Sequence, residues 1–261
     1  MSPQLLQQTF LVGEKDYRGV VVEQVPDCGA VIVRFYFERN PIEVIIDTQF
    51  PINKEGDWAF GRSSDPKEIW VMAVEKAYAK ICGSYANIVS GKVSFGLRDL
   101  SGGFPDDITI SDMNADMFWD RLVDYKRFGY LLGAGSPECQ NGQIVTSPGG
   151  IIQGHAYAVL DAIEADGIRL VKLRNPPGHR SAEWKGSWCD NAPEWTERLR
   201  KLSGAGVKEE GAFFIELSDF RAEFQTLYLV RVFDPRIWKS PDAFHVILTK
   251  KPVLLIWFVI G

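Results

Sequence analysis

The sequence has few cysteines, no long run of charge of one sign and no long apolar run. Its four cysteines, at positions 28, 82, 139 and 189, are widely spaced and form no Cys-x-x-Cys pair, which argues against a zinc site and a disulfide framework. Basic residues number 29 and acidic residues 34, so the net charge is −5 and no basic run forms a patch for nucleic acid. We therefore expect no nucleic-acid partner and a reducing, intracellular compartment, the cytoplasm.

Both ends of the sequence also lack export and membrane signals. The first residues contain no basic region followed by an apolar stretch, so we expect no signal peptide. The apolar stretch near the other end, residues 253–260, is too short to span a bilayer, and we expect no transmembrane segment. What the sequence does contain is 46% hydrophobic residues and eight tryptophans, a composition typical of a well-packed globular protein.

A stretch in the second half of the chain predicts a β-hairpin. Residues 156–163 are small and apolar, and residues 168–173 alternate between apolar and basic side chains, which is a strand pattern. The turn signal Glu-Ala-Asp-Gly stands between them. With a five-residue loop, residues 163–167, the two strands pair so that His155 lies directly opposite Asn175.

His155 and Asn175 are the candidate catalytic pair of this hairpin. Directly opposed side chains have Cβ atoms about 5 Å apart, so the Asn175 amide can accept a hydrogen bond from the imidazole. A histidine that acts as a general base needs such a partner to fix its tautomer and ring plane. The alternative is structural, because a histidine beside a glycine often begins a strand and Asn-Pro often ends one.

The clearest helix is predicted over residues 66–82. Asp65 is a good N-cap, proline suits the first helical position, and Glu68 stands three residues after the cap, which together form a capping box. Apolar residues at helical spacing then define one buried stripe: Trp70, Val74, Ala77, Tyr78, Ile81 and Tyr85.

Several further elements are predicted from hydrophobic periodicity and turn signals. They are strands at residues 30–37, 42–47, 130–136, 212–217 and 227–233, a helix at residues 111–129 capped by Ser111 or Asp112, and a short helix that opens at residues 218–220.

Several motifs occur in the order in which one protein family has them. In the first half they are Glu-Ile-Trp at 68–70, Glu-Lys-Ala-Tyr-Ala-Lys at 75–80, Gly-Ser-Tyr at 83–85, Ser-Gly at 90–91 and Asp-Leu-Ser-Gly-Gly at 99–103. In the second half they are Gly-His-Ala-Tyr-Ala-Val at 154–159, Arg-Asn-Pro at 174–176 and the tryptophan-rich stretch at 183–195. As far as about residue 232, the sequence resembles the catalytic domain of the calpains, which are calcium-dependent papain-like cysteine endopeptidases.

The resemblance implies an α+β fold, the papain-like cysteine proteinase fold of the calpain catalytic domain. Residues 1–103 would form the C-terminal part of the helical first subdomain, and residues 104–232 the β-rich second subdomain. Residues 233–261 would begin a following β-sandwich domain that is truncated. Gly102 and Gly103 stand where the family has the hinge between its subdomains, and two successive glycines also indicate a flexible break.

By the same resemblance, His155 is the catalytic histidine and Asn175 the asparagine that orients it. Gly91 and Gly154 match glycines that let a substrate backbone approach, although a turn explains both equally. Calcium is the implied cofactor, and its implied ligands are Glu68 in the first subdomain and Glu183, Asp190 and Glu210 in the second. The alternatives are the capping role for Glu68 and solvated loop acids for the others. Ala212 stands where the family has a further acidic ligand, so this second site is at best weakened.

The nucleophile that the family needs is absent from the sequence. Calpains carry this cysteine at the start of a helix, in a Gly-Asp-Cys-Trp motif upstream of the histidine, and no such motif occurs here. Cys82 is predicted at the C-terminal end of a helix, where the helix dipole raises a thiol pKa. Pro177 replaces the tryptophan that covers the His–Asn bond in the family's Asn-Pro-Trp-Gly motif. We therefore expect a fragment of a longer protein, whose cysteine motif lies upstream of Met1.

Two functions remain open. The first is a calpain-type, calcium-dependent cysteine endopeptidase for limited proteolysis of intracellular proteins, present here without its nucleophile. Its partners would be protein or peptide substrates and further domains of the same full-length chain. The second is a non-catalytic, calpain-like interaction or regulatory module. Under both hypotheses, we expect this chain alone to be inactive, because a papain-like mechanism needs the thiolate.

Overall fold

The computed structural model describes residues 20–38, 40–62, 68–138, 145–176, 184–205 and 211–232. Within these segments the chain forms two antiparallel sheets with helices packed against them, which confirms the α+β class. Several predicted features lie outside the described residues, namely Asp65 and Pro66 of the capping box, Cys139, Pro177, Glu183, Glu210 and residues 233–261.

The first sheet has three strands in the order β1-β2-β3. They are β1 (Val21–Val25), β2 (Ala30–Phe37) and β3 (Asn40–Asp47). The predicted hairpin of β2 and β3 is confirmed, and alternate residues of β2, Val31, Val33 and Phe35, are buried. Sequence periodicity misses β1 because the middle of this edge strand is polar and exposed.

Helix α1 (Trp70–Ile81) packs on this sheet and begins later than the sequence predicts. Ile69 is its N-cap, so Glu68 precedes the helix and cannot be the third residue of a capping box. That part of the prediction is wrong. The Glu68 carboxylate instead accepts a hydrogen bond from the Trp70 indole N–H at 3.2 Å, which satisfies it outside the helix.

The buried face of α1 follows the predicted stripe. Val74 and Ala77 are buried in the core beneath the three-stranded sheet, and the Tyr78 ring packs beside Phe35 with centroids 5.5 Å apart. The Tyr78 hydroxyl donates a hydrogen bond to Asp99 at 2.9 Å. Burial, reinforced by this carboxylate, raises the pKa of Tyr78, so the hydroxyl remains a donor.

Helix α2 (Val93–Ser101) packs against both sheets, and the sequence pattern does not predict it. Leu100 belongs to the core of the three-stranded sheet, whereas Leu97 packs with Leu131 and Val230 of the second sheet. A glycine and two serines give this short segment low helix propensity. Burial between the sheets, and not local preference, therefore stabilises α2.

Gly102 and Gly103, the predicted flexible break, are tightly packed at the end of α2. Gly102 ends the helix with a φ of 71°, a left-handed conformation that favours glycine. A Cβ atom at Gly102 would lie 2.8 Å from the Tyr36 ring, and one at Gly103 would lie 2.6 Å from a Val230 methyl carbon. The close approach of neighbouring elements therefore requires both glycines, and their packing does not support flexibility here.

The second sheet has six strands in the order β4-β9-β5-β6-β7-β8. Its strands are β4 (Phe104–Thr109), β5 (Leu131–Gly135), β6 (Ala156–Ala165), β7 (Ile168–Arg174), β8 (Ala212–Glu216) and β9 (Thr226–Arg231), with helices α3 (Ala115–Arg127), α4 (Glu197–Ser203) and α5 (Leu217–Glu223). The predicted strands that correspond to β5, β8 and β9 and the short helix α5 are confirmed. The sequence pattern does not predict β4, which contains a proline and two aspartates, but proline is tolerated in an edge strand such as this one.

The main core lies between one face of the six-stranded sheet and helices α3 and α5. Phe118, Trp119 and Leu122 of α3 are almost fully buried there. The Trp119 indole N–H also donates to the Glu164 carboxylate at 2.6 Å, which ties α3 to the end of β6. The helix therefore supports the hairpin that carries the candidate catalytic pair.

The start of α3 differs from the prediction. The helix begins at Ala115, and the Asn114 side chain caps it by accepting a hydrogen bond from the Met117 N–H at 2.9 Å. Ser111 and Asp112, the predicted caps, lie in a preceding 3-10 turn, so this prediction is wrong. Met117, predicted to be on the apolar face, is half exposed.

In the described part of the chain, no helix is both long enough and apolar enough to cross a membrane.

Replacement of Gly103 by alanine should destabilise the fold. The added Cβ would lie 2.6 Å from Val230 and 2.7 Å from the Arg231 carbonyl oxygen, directly before β4 pairs with β9. We expect the free energy of unfolding, measured by urea denaturation, to fall by about 1–3 kcal/mol, the usual cost of overpacking. Gly91→Ala is the matched control, because a Cβ there meets nothing within 4 Å. Equal stability of the two variants would contradict this packing.

Asn114→Ala should weaken α3, because the first turn loses its side-chain cap. We expect a loss of about 1 kcal/mol in the free energy of unfolding, measured by circular dichroism during denaturation. Ser111→Ala should change it by less than about 0.5 kcal/mol, because the exposed Ser111 does not cap α3. A larger loss for Ser111→Ala than for Asn114→Ala would reverse the assignment of the cap.

Candidate active site

The hairpin of β6 and β7 is confirmed, but its loop has two residues and not five. Ala165 pairs with Ile168, and the loop residues Asp166 and Gly167 have φ values of 54° and 79°. Positive φ at both positions is the type I′ turn that Asp-Gly favours, and its twist matches that of the flanking strands. The tighter turn lengthens both strands and shifts their register.

This register places His155 and Asn175 diagonally, so the predicted direct opposition is wrong. Ala158 pairs with Arg174, so Tyr157 faces Asn175 one step further along the strands. His155 lies two residues before Tyr157 and therefore on the same face. A bulge in β6 reduces the shift from the predicted pairing from three residues to two. Diagonal neighbours are still within reach of long side chains.

The predicted contact between the two side chains is present. The His155 Nε2 atom lies 2.8 Å from the Asn175 Oδ1 atom, a hydrogen-bonding distance. An amide oxygen can only accept, so this bond requires the proton on Nε2. The arrangement therefore selects one tautomer of the imidazole and fixes its ring plane.

Backbone pairing holds Asn175 in place. The residue follows directly on β7, is only 6% exposed, and donates its N–H to the Gly211 carbonyl oxygen at 2.9 Å. Gly211 has a φ of 73°, and a Cβ there would lie 2.8 Å from the Asn175 carbonyl oxygen. This position therefore needs glycine. Gly211 is a supporting residue that the sequence reasoning missed, and its signal was the glycine directly before a predicted strand.

A buried aromatic ring flanks the imidazole. The Tyr157 and His155 rings are nearly perpendicular, with centroids 5.0 Å apart, and Tyr157 also packs edge-to-face against Phe213 and Phe224. Burial raises the pKa of Tyr157 to about 12, although the hydrogen bond that its oxygen accepts from the Ile152 N–H opposes this rise. Tyr157 is therefore neutral near pH 7 and gives the site a rigid, uncharged side.

Hydrogen bonds to the end of β5 fix the segment before His155. Gly154 has a φ of 64°, and its N–H donates to the Pro137 carbonyl oxygen at 2.6 Å. Ser136 bonds to both the N–H and the carbonyl group of His155. The turn thus places Gly154, a predicted substrate-binding residue, beside the histidine. No motif in the sequence points to Ser136.

Gly91, the other predicted substrate-binding residue, lies two residues before α2. It is exposed, and a Cβ at this position would meet nothing within 4 Å, so the backbone is open to an approaching chain. Val93, the first residue of α2, reaches the sheet, because a Cβ at Gly133 of β5 would lie 3.2 Å from its methyl carbon. Strand β5 neighbours β6. The substrate roles of Gly91 and Gly154 remain predictions.

The tryptophan-rich loop supports the histidine segment from another side. Gly149 and Gly186 both lie against the Trp184 ring so closely that neither position has room for a Cβ. The Lys185 N–H donates to the Gly149 carbonyl oxygen at 2.9 Å, and the Trp184 indole N–H donates to that of Ser187 at 2.7 Å. The loop is therefore structural and helps to fix the chain that leads into His155.

None of the three cysteines in the described segments stands at the start of an α-helix. Cys28 ends an exposed 3-10 turn, Cys82 caps the C-terminus of α1, and Cys189 lies half-buried in the tryptophan-rich loop. Burial, followed by the charge of Asp99, raises the pKa of the Cys82 thiol. An activated thiol needs a shift in the opposite direction. Cys139 lies outside the described residues.

The described residues do not form a calcium site. They contain no group of three or more histidine, cysteine, aspartate or glutamate side chains placed to hold a metal ion. Of the predicted ligands, Glu183 and Glu210 lie outside the described segments, Glu68 precedes α1, and Asp190 lies in the tryptophan-rich loop. Calcium takes about six to eight oxygen ligands, so the two described residues do not by themselves fit it.

Comparison with known proteins agrees with the geometry. The calpain family cysteine protease domain matches residues 8–231. The Calpain-type cysteine protease DEK1 of Arabidopsis thaliana is 38% identical over 221 residues, which are 82% of this chain and 10% of that protein. The corresponding protein of Zea mays is 37% identical over 225 residues, which are 84% of this chain and 10% of that protein. Calpain-14 of Homo sapiens is 32% identical over 217 residues, which are 78% of this chain and 30% of that protein.

The chain thus spans about a tenth of the length of the plant relatives and about three tenths of the human one. The matched region contains both sheets, the hairpin with His155 and Asn175, and every motif on which the resemblance rests. On this evidence the chain belongs to the calpain family of cysteine proteases.

Proposed function

We propose that this chain supplies the histidine and the asparagine of a calpain-type cysteine endopeptidase. The observation that carries the proposal is the 2.8 Å contact between His155 Nε2 and Asn175 Oδ1. Asn175 is buried and its backbone N–H is held by Gly211, directly before β8, so its amide oxygen is a fixed acceptor for the imidazole. A thiol nucleophile requires a base that is held in one tautomer and one orientation.

In the proposed reaction, His155 moves a proton between a cysteine thiol and the leaving group. The Nδ1 atom of His155 takes the thiol proton, and the thiolate sulfur bonds to the carbonyl carbon of the substrate. As the C–N bond breaks, the imidazolium gives this proton to the leaving amine. A water molecule that loses a proton to Nδ1 then hydrolyses the thioester, and the proton returns to the thiol. Asn175 holds the ring and stabilises its charged form.

The proposal places the nucleophile outside these 261 residues. No Gly-Asp-Cys-Trp motif occurs in the sequence, and none of the described cysteines lies at the start of an α-helix. The relatives are several times longer than this chain, which supports the interpretation that it is one part of a larger protein. A polypeptide of this sequence alone is expected to cleave no peptide.

The division into subdomains belongs to the same proposal. The first papain-like subdomain would end at residue 103, and the second would extend from residue 104 to residue 232. Two observations support this division. Strands β1–β3 and strands β4–β9 form two separate sheets, and Gly103 directly precedes β4. The proposed following domain, residues 233–261, lies outside the described segments.

The proposed substrates are intracellular proteins, cleaved at limited sites in the cytoplasm. The family consists of cysteine proteases, which supports protein substrates. Cys28, Cys82 and Cys189 are free, as cysteines are in a reducing compartment.

Calcium is the proposed cofactor. Its proposed ligands are Glu183, Asp190 and Glu210 in the second half of the chain and Glu68 in the first. Ala212 provides no side-chain oxygen where the family resemblance implies an acid. We therefore propose weak binding of calcium, and no step of the proposed reaction depends on it.

A second candidate function is a non-catalytic, calpain-like interaction module. The observation that favours it is the position of Cys28, Cys82 and Cys189, none of which is activated by a helix N-terminus. Pro177, in place of the tryptophan that covers the His–Asn bond in the family, points in the same direction. Such a module would fold and bind partner proteins without turning over peptides.

His155→Ala should strongly reduce peptide cleavage by the full-length protein that contains this chain. Loss of the base should lower kcat/KM for a fluorogenic peptide by about 10²–10⁴-fold, and Asn175→Ala should lower it less, because the base remains but its ring is no longer held. Asp120→Asn, an exposed change in α3, is the control and should retain wild-type activity. Cleavage that survives in His155→Ala would contradict the mechanism. A well-folded wild-type protein that cleaves nothing would favour the interaction module.

Calorimetric titration of the chain with calcium should give a dissociation constant of about 10⁻⁴–10⁻³ M, the range of weak sites. Asp190→Asn should weaken binding by about tenfold, because a neutral amide replaces a charged ligand. Asp120→Asn, an exposed change in α3, is the matched control and should bind as the wild type does. If Asp190→Asn and Asp120→Asn bind calcium with the same affinity, Asp190 is not a ligand. If no heat of binding is detected, calcium is not a cofactor of this chain.

A further inference from the structure

We propose that Ser136 is a positioning residue for His155, which sets the direction of the imidazole through the backbone. The inference rests on the proposed role of His155 and adds a residue to that site. Ser136 directly follows β5 and is only 8% exposed. A buried hydroxyl needs hydrogen-bond partners, and those of Ser136 all lie in the segment that leads into His155.

Ser136 bonds to both backbone polar groups of His155. The Ser136 N–H donates to the His155 carbonyl oxygen at 3.0 Å, and the His155 N–H donates to the Ser136 Oγ at 3.0 Å. The same Oγ lies 2.7 Å from the Ile152 carbonyl oxygen and 3.1 Å from the His155 carbonyl oxygen, and its single proton can be donated to either acceptor. One side chain thus joins both sides of the turn at Gly154.

These bonds act where regular strand pairing ends. Gly135 and Ala156 are the last paired residues of β5 and β6, so Ser136 extends the pairing by one residue. The backbone of His155 determines the direction of its Cα–Cβ bond, and rotamer choice follows from that backbone. Asn175 and Tyr157 contact the ring. Both ends of the histidine must be fixed if Nε2 is to meet the amide oxygen.

Alanine at position 136 should disturb the histidine without unfolding the loop. The variant keeps the Ser136 backbone N–H but removes the acceptor of the His155 N–H and a donor to Ile152. The rest of the turn stays attached, because the Ile152 N–H donates to the Tyr157 hydroxyl oxygen at 2.9 Å and the Gly154 N–H to the Pro137 carbonyl oxygen. We therefore expect a local change in the orientation of His155.

The test is the rate at which the His155 Nε2 proton exchanges with solvent, measured by NMR on the ¹⁵N-labelled 261-residue chain. In the wild type this proton is donated to Asn175 and should be protected, and Asn175→Ala identifies the signal by removing that protection. Ser136→Ala should speed exchange by about tenfold, the factor that one lost hydrogen bond gives. Ser136→Thr, which retains the hydroxyl, should restore slow exchange.

Ser94→Ala is the matched control. Among the described residues Ser94 is the other buried serine, and its Oγ has no hydrogen-bond partner there, so its removal should leave the exchange rate unchanged. Backbone amide spectra report whether each variant folds. If Ser136→Ala does not fold, Ser136→Cys takes its place, because a thiol has a similar shape to a hydroxyl but forms only weak hydrogen bonds. Ser136→Cys should also speed exchange of the Nε2 proton.

Unchanged exchange in the folded Ser136 variant, or an unprotected Nε2 proton in the wild type, would overturn this inference. The measurement needs no peptide cleavage, so its outcome is separate from that of the proposed function. A full-length protein without peptidase activity would overturn the proposed function and leave the positioning role of Ser136 standing.

Discussion

The hydrogen bond between the His155 imidazole and the Asn175 amide depends on the exact meeting of four strand ends in one sheet. The two-residue turn at Asp166 and Gly167 and the bulge in β6 together set the register that brings the two residues to one face. Strand β8 holds the asparagine through Gly211, and strand β5 holds the histidine through the residue that follows it. Each contact is weak alone, but together they leave the imidazole one orientation.

Several of the described residues pack closely around this edge of the sheet. Tyr157 is buried beside the imidazole, and Trp184 packs closely against the segment that precedes His155. Helix α2 links the two sheets through Leu97 and Leu100, and Gly103 lets β4 begin close to β9. The backbone near Gly91 is therefore fixed relative to the sheet that carries the catalytic candidates.

Much of the fold follows from sequence because its periodicity is local. The β2–β3 hairpin and α1 have one apolar face at strand or helix spacing, and the strands β5 to β9 are short runs rich in apolar residues. Helix α2 and strand β4 could not be predicted in this way, since a glycine with serines and a proline with aspartates weaken the local signal, and burial by distant residues decides their structure.

The sequence predicts the candidate catalytic pair for a partly wrong reason. The strand patterns and the Asp-Gly signal indicate the hairpin, but the predicted five-residue loop is too long, so the sequence predicts direct opposition where the structure has a diagonal contact. Supporting residues such as Ser136 and Gly211 act through backbone hydrogen bonds. Such bonds leave no pattern of side chains in the sequence, because their partners are distant along the chain.

The proposed role of the His155–Asn175 pair has its most direct test in the identity of the cysteine that the pair would activate. The full-length protein can be treated with a limiting amount of iodoacetamide, and the modified cysteine identified by mass spectrometry. We predict modification at a cysteine outside these 261 residues, at a rate that falls by at least about tenfold in His155→Ala, because the imidazole no longer takes the thiol proton. Modification at Cys28, Cys82, Cys139 or Cys189, or a rate that is the same in His155→Ala, would contradict the proposed catalytic role.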